Sequence, residues 1–159
     1  MQRRRSLALF FLLLLLLLLS FPCFTLAGND PAMPGLIPIT LPGGTIIYAE
    51  LADTPLKRAE GLMYREHLGA DHGMLFTFPQ AQAWVFWMKN TKIPLDLIWM
   101  NEKKQIIHME QNVPICTRTD DSCPQYRPSN DALYVLELAG GRAESLKLQR
   151  GSKLQFRAP

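Results

Sequence analysis

Beyond its first 27 residues the sequence has no long apolar run, no surplus of charge of either sign, no internal repeat and no low-complexity stretch. Without a second long apolar run, no helix in residues 28–159 is expected to span a bilayer. Without a repeat or a heptad period, solenoids and coiled coils are excluded. Of the 17 Lys and Arg residues, Arg3, Arg4 and Arg5 lie in the first segment, which leaves 14 basic against 14 acidic residues in the remainder. A formal charge of zero provides no basic face of the kind nucleic-acid binding needs, so no nucleic-acid partner is expected. There is no Gly-x-Ser-x-Gly elbow, phosphate-binding glycine loop or dinucleotide fingerprint. His67, His72 and His108 lack the i, i+4 spacing of a helical metal site, so neither a metal nor an organic cofactor is expected.

What the first segment contains is a targeting pattern. Basic residues within Met1 to Ser6 precede an unbroken apolar run from Leu7 to Leu19, then Pro22 and the small-residue site Thr25-Leu26-Ala27. That order is a secretory signal peptide over residues 1–27. Left uncleaved it would be a membrane anchor, since Leu7 to Leu26 approaches the roughly 20 residues that cross a bilayer. Pro22 and Thr25 interrupt that run, and Pro22 before Cys23 departs from a lipoprotein signal. The expected location is secreted or periplasmic, with about 130 residues forming one domain that buries roughly two-thirds of its unfolded surface.

With Cys23 removed alongside the leader, Cys116 and Cys123 remain, in VPICTRTDDSCPQY. An even count in an oxidising compartment predicts a Cys116–Cys123 disulfide, worth about 2.5 kcal/mol by loop entropy. Six intervening residues do not match a Cys-x-x-Cys redox motif, and the loop holds no histidine to complete a metal site. Asp120 and Asp121 read as a solvated turn, because no spaced series of oxygen ligands surrounds them.

Pro31, Pro34, Pro38 and Pro42 exclude a helix at the start of the remainder and predict an extended lead-in over residues 28–38, before a single domain over 39–159. Ile37 to Leu41 and Thr45 to Leu51 flank Pro42-Gly43-Gly44 as a hairpin. Thr54 can cap a helix with Pro55 in its first turn, and Leu56, Ala59 and Met63 carry helical spacing to about Leu68, with Gly61 inside it permitting close approach to a sheet. Strands are expected at Met74 to Phe78, Trp84 to Lys89, Leu95 to Met100, Ile106 to Gln111, Leu133 to Leu138 and Lys153 to Phe156, with helical turns within Arg142 to Leu148. The fold class is mainly β, a compact antiparallel β-sandwich or partly open β-barrel with one or two short helices.

Several charged residues interrupt apolar strands: Lys89 after Trp87-Met88, Asp96 between Leu95 and Leu97, and Glu137 between Leu136 and Leu138. An unpaired buried charge costs several kcal/mol, so each must reach water or a partner, and Lys89 can bridge Asp96 across the connection from Asn90 to Pro94. The sharper reading is a polar cleft in which Asp96 and Glu137 do acid–base work while Lys89 or Asn90 holds an anionic or carbonyl group. Arg58 and Arg65, seven apart, share a helical face and could clamp a carboxylate or phosphate, or simply face solvent beside Glu60 and Glu66. Trp84, Trp87 and Trp99 supply either core or a surface for stacking a flat ligand.

RAEGLMYREHL (Arg58 to Leu68), GMLFTF (Gly73 to Phe78), FWMKNTKIPLDLIWM (Phe86 to Met100) and YVLELAGG (Tyr134 to Gly141) resemble the family called domain of unknown function 192. Its members are small, mostly secreted or envelope-associated proteins of bacteria and archaea with no established activity. The resemblance implies a single mainly β domain and directs attention to Arg58, Gly61, Met63, Arg65, Lys89, Asn90, Thr91, Asp96 and Glu137. In place of the family's usual Asp and Gly, the turn here reads Asn101-Glu102-Lys103-Lys104, and Gly151-Ser152 stands where Gly-Asp is common. The leading expectation is an extracytoplasmic, non-enzymatic module that binds a small ligand or envelope component in a polar cleft formed by Arg58, Arg65, Lys89, Asn90, Thr91, Asp96 and Glu137. One alternative is a hydrolase of an envelope polymer using Asp96 and Glu137; another is a protein-interaction scaffold.

Overall fold

The computed structural model describes residues 35–118 and 120–158. The leader lies outside them. No helix among the described residues is long and apolar enough to cross a membrane. Among the described residues eight strands, β1 (Leu36–Thr40), β2 (Ile46–Ala52), β3 (His72–Gln82), β4 (Phe86–Trp87), β5 (Leu95–Met100), β6 (Ile106–Val113), β7 (Gln125–Tyr126) and β8 (Ala132–Ala139), accompany two short helices, α1 (Pro55–Glu60) and α2 (Arg142–Ser145). Six strands form one sheet in the order β1-β2-β3-β8-β5-β6, and β4 pairs with β7 in a second, small sheet. The fold is mainly β with two short helices, as the strand-like runs predict. The large sheet is mixed rather than wholly antiparallel, because β2 and β3 run parallel.

That parallel pair follows from the connection between the two strands. A β2–β3 hairpin is prevented by α1, which is capped by Thr54 accepting from the Lys57 N–H at 3.2 Å and begins with Pro55. The helix stops at Gly61, with φ 50, well short of Leu68. Leu56 is left largely exposed and no residue of α1 is buried, so the apparent apolar spacing does not mark a packed face.

Strand β5 is buried at all six positions because a core lies on each face of the sheet. Leu75, Ile98, Leu136 and Leu138 pack on one face with Ala143, Leu148, Leu154 and Phe156. On the other, Phe76, Leu97, Trp99 and Val135 pack with Leu62 and Met88. The expected strand from Lys153 to Phe156 is instead a bridging segment. Gln155 exchanges backbone hydrogen bonds with Thr40 at the end of β1, while Gly151 and Ser152 do so with Ile106 of β6. The two edge strands are not paired with each other, but this segment links them at one end, so the sheet does not close into a barrel and the fold is a partly open sandwich. In the β5–β6 turn, Asn101 Oδ1 accepts from the N–H groups of Lys103 and Gln105, and Lys104 takes φ 61, the position glycine would favour. Ser152 Oγ accepts from the Gln149 N–H at 3.2 Å.

Candidate functional site

Asp96 and Glu137 are both buried, at 0% and 5% exposure, but the register separates them. Glu137 lies opposite Leu97, and Asp96 opposite Leu138. Cross-strand partners share a face and neighbours along a strand alternate, so the two side chains project to opposite sides of the sheet. The expectation of an acid–base pair made by Asp96 and Glu137 is therefore corrected.

Asp96 is fully engaged with backbone. Its Oδ1 accepts from the N–H groups of Asn112 at 2.6 Å and Gly141 at 2.9 Å, and its Oδ2 from Ala143 at 2.6 Å. Gly141 precedes α2 with φ 81, and Asn112 has φ 49. A carboxylate here thus satisfies the open N–H groups of a helix start and anchors an irregular point of β6. The expected Lys89–Asp96 bridge is absent; Lys89 pairs with Asp121.

Glu137 has the opposite surroundings. Its Oε2 is buried without a hydrogen-bond partner among the described residues. Burial pushes this carboxyl up to about 8, so it retains its proton at neutral pH. It lines a cleft of ≈ 40 Å³ together with Arg58, Gly61, Met63, Phe76, Trp87, Lys89 and Thr91. Gly61 is favoured here by its φ and by a close approach. A Cβ on it would sit 3.3 Å from Phe76 Cζ and 4.0 Å from Glu137 Oε2, so a side chain would need the Phe76 ring to give by a few tenths of an ångström besides bearing the strain of a positive φ.

The cleft walls are held by specific contacts. Arg58 Nη1 donates to the carbonyls of Asp53 at 2.7 Å and Thr77 at 2.9 Å, and its guanidinium lies over Phe78 at 5.4 Å. Lys89 reaches from the segment after β4, with Nζ 5.2 Å from the centroid of the Trp87 ring. Its partner Asp121 belongs to the loop closed by the Cys116–Cys123 disulfide, Cα–Cα 5.9 Å. Thr91 is buried and its hydroxyl donates to the Lys89 carbonyl at 3.4 Å. Asn90, φ 57, fastens the turn after α1: its carbonyl accepts from the Tyr64 N–H at 2.8 Å and its amide donates to Tyr64 Oη at 2.9 Å.

Of the seven residues singled out from sequence, Arg58, Lys89, Thr91 and Glu137 therefore share one cleft, and Asn90 secures its rim. Arg65 is not on a helical face with Arg58, because Gly61 has ended α1. It pairs with Glu50 at 2.6 Å in an adjoining cavity of ≈ 310 Å³. Asp96 stands on the other face. The sequence reads Asp121 as part of a solvated turn, whereas the disulfide-bracketed loop fixes its carboxylate beside Lys89. Trp99 is core, with its indole N–H donating to the Trp84 carbonyl at 2.9 Å, and Trp84 stacks on Phe78 at 4.0 Å. Only Trp87 of the three tryptophans lines the cleft. Among the described residues no group of three His, Cys, Asp or Glu side chains is placed to hold a metal.

Residues 39–156 match the model of domain of unknown function 192, described as an uncharacterised ACR, and the chain belongs to that family. It is 25% identical over 114 residues to a UPF0127 protein of Thermococcus gammatolerans, covering 69% of this chain and 66% of that relative, just under two thirds of its length. A crystal structure of a protein of unknown function from Novosphingobium aromaticivorans is similar with a TM-score of 0.69 and 31% identity, over 76% of this chain and 84% of the other. Another, from Sinorhizobium meliloti and named a "putative transcription regulator", has a TM-score of 0.67 and 30% identity, over 76% and 93% of the two chains.

Proposed function

Proceeding from membership of an uncharacterised family, we propose that the chain is an extracytoplasmic binding module that takes a small ligand, or one group of an envelope component, in the cleft above Glu137. The observation that carries this reading is the buried Glu137 Oε2, which has no partner among the described residues and lines a cleft that also contains Lys89, Thr91 and Arg58. A polar atom left unmatched in a core lowers stability, and a bound group that hydrogen-bonds to it recovers that loss. The signal-like leader and the disulfide both fit an oxidising compartment. The balanced charge of residues 28–159 gives no reason to carry a nucleic-acid role over from the Sinorhizobium protein.

The test is a thermal-unfolding screen of the oxidised protein against small polar molecules, repeated on Glu137→Leu. A ligand present at 100 times its Kd stabilises the fold by about 2.7 kcal/mol. The reading expects such a shift for wild type and its loss in the variant. A broad screen in which nothing raises the midpoint, or in which every hit is unaffected by Glu137→Leu, would overturn it.

A further inference from the structure

A proton-bearing carboxyl at the base of a cleft donates a hydrogen bond, and an ammonium at its wall donates another. The structure already contains one group that answers such donors. Asp121 brings a carboxylate to Lys89, although its side chain is 75% exposed and its pairing with Lys89 is the weak kind made at a surface. A volume of ≈ 40 Å³ has room for the end of a molecule rather than for a whole one.

We propose that the cleft binds the terminal carboxylate of a small acid or short peptide between the Glu137 carboxyl and the Lys89 ammonium, and that Asp121 is an internal stand-in which the ligand displaces from Lys89. The inference rests on the binding role argued above and specifies its ligand class. The neutral carboxyl of Glu137 donates to one ligand oxygen, a charge-assisted bond that an ionised Glu137 would turn into repulsion. The charged groups around Glu137 are Arg58 and Glu60 from α1 and its end, Lys89 from the segment after β4, and Asp121 beyond it. From the flanking strands β3 and β5, its neighbours are the apolar Met74 and Leu97. Arg58 Nη1 donates its hydrogens to two carbonyls that fix the guanidinium in place, whereas the Lys89 ammonium is held by an exposed carboxylate that a ligand can displace.

Calorimetric titration of the oxidised full protein with acetate, lactate and alanylalanine, and with acetamide and alanylalanine amide as neutral controls, tests this. The carboxylates are expected to bind and the amides not. Lactate favoured over alanylalanine would identify a free small acid, and the reverse order a peptide end. Lys89→Met should weaken binding by about 10-fold or more. Asp121→Asn, at an exposed position, should strengthen it by about two- to five-fold by removing the competitor. Wild-type binding should weaken as pH rises through about 8, whereas Glu137→Gln should show no such loss. Equal binding of amides and carboxylates would overturn the ligand class and leave the binding role standing. So would failure of every carboxylate while other compounds in the broad screen still bind through Glu137. Carboxylate binding that ignores Asp121→Asn would overturn the stand-in.

Discussion

Asp96 and Glu137 are both carboxyl groups flanked by leucines in adjacent central strands, yet their surroundings differ in every respect. Asp96 meets three backbone N–H groups with both oxygens, whereas Glu137 lies between Met74 and Leu97 of the flanking strands and keeps one oxygen unmatched among the described residues, facing a cleft. A buried acid can thus be held in two ways, with both oxygens taken up by backbone N–H groups or as a neutral group kept so by desolvation. The first is bound into the fold. The second retains bonding capacity for something outside it.

The largest expected effect separates the two by pH. Glu137 ionises near the ordinary 4.5 once unfolded but near 8 in the folded protein, so unfolding between those values releases a proton. Its contribution is fully present below about pH 4.5 and is lost as pH rises to about 8, a change on the order of 5 kcal/mol. Urea unfolding of wild type and Glu137→Gln from pH 4 to 9 should show this slope in the wild type alone; equal slopes would remove the contrast. Asp96→Asn comes next, with an expected loss of about 3–5 kcal/mol at pH 7, because one amide cannot accept from three N–H groups arranged around a carboxylate. A loss below about 1 kcal/mol would show that Asp96 is no anchor.

Replacing both Cys116 and Cys123 with Ser should lower stability by about 2.5 kcal/mol, and this loss should add to that of Asp96→Asn, since Cys116 packs with the core on the other face of the sheet from Asp96. Strong coupling in the combined variant would join the two regions that the register holds apart. The smallest effect is Thr54→Ala, about 1 kcal/mol from the lost cap of α1, measured as a shift in urea midpoint.

Much of the fold is legible in the sequence because strand-forming residues are clustered and punctuated. Leu95 to Met100 is β5 to the residue, and the glycine-bearing turn after Pro42 separates β1 from β2. The run from Trp84 to Lys89 reads as a longer strand than the two-residue β4, since Trp84 leaves the ladder to stack on Phe78 and to accept from Trp99. The end of α1 is hidden for a related reason. Gly61 is visible, but the need for it comes from Phe76, which lies over the turn only after folding. The site was half legible. Alternation marked Asp96 and Glu137 as unusual, but which one is satisfied depends on N–H groups at Asn112, Gly141 and Ala143, which no local pattern connects to Asp96. Spacing alone pairs Lys89 with the nearer acid in sequence, Asp96, while the fold supplies Asp121 from within the disulfide loop.

The bridging segment sets an order on the birth of the molecule. Residues 151–155 are synthesised after every strand of the large sheet, yet they are what joins β1 to β6. A chain emerging from a ribosome therefore passes through a stage in which the strands are made and both borders of the sheet can still recruit a neighbouring polypeptide. Crowding at that stage favours assembly with the wrong chain, and arrival of the last segment ends it.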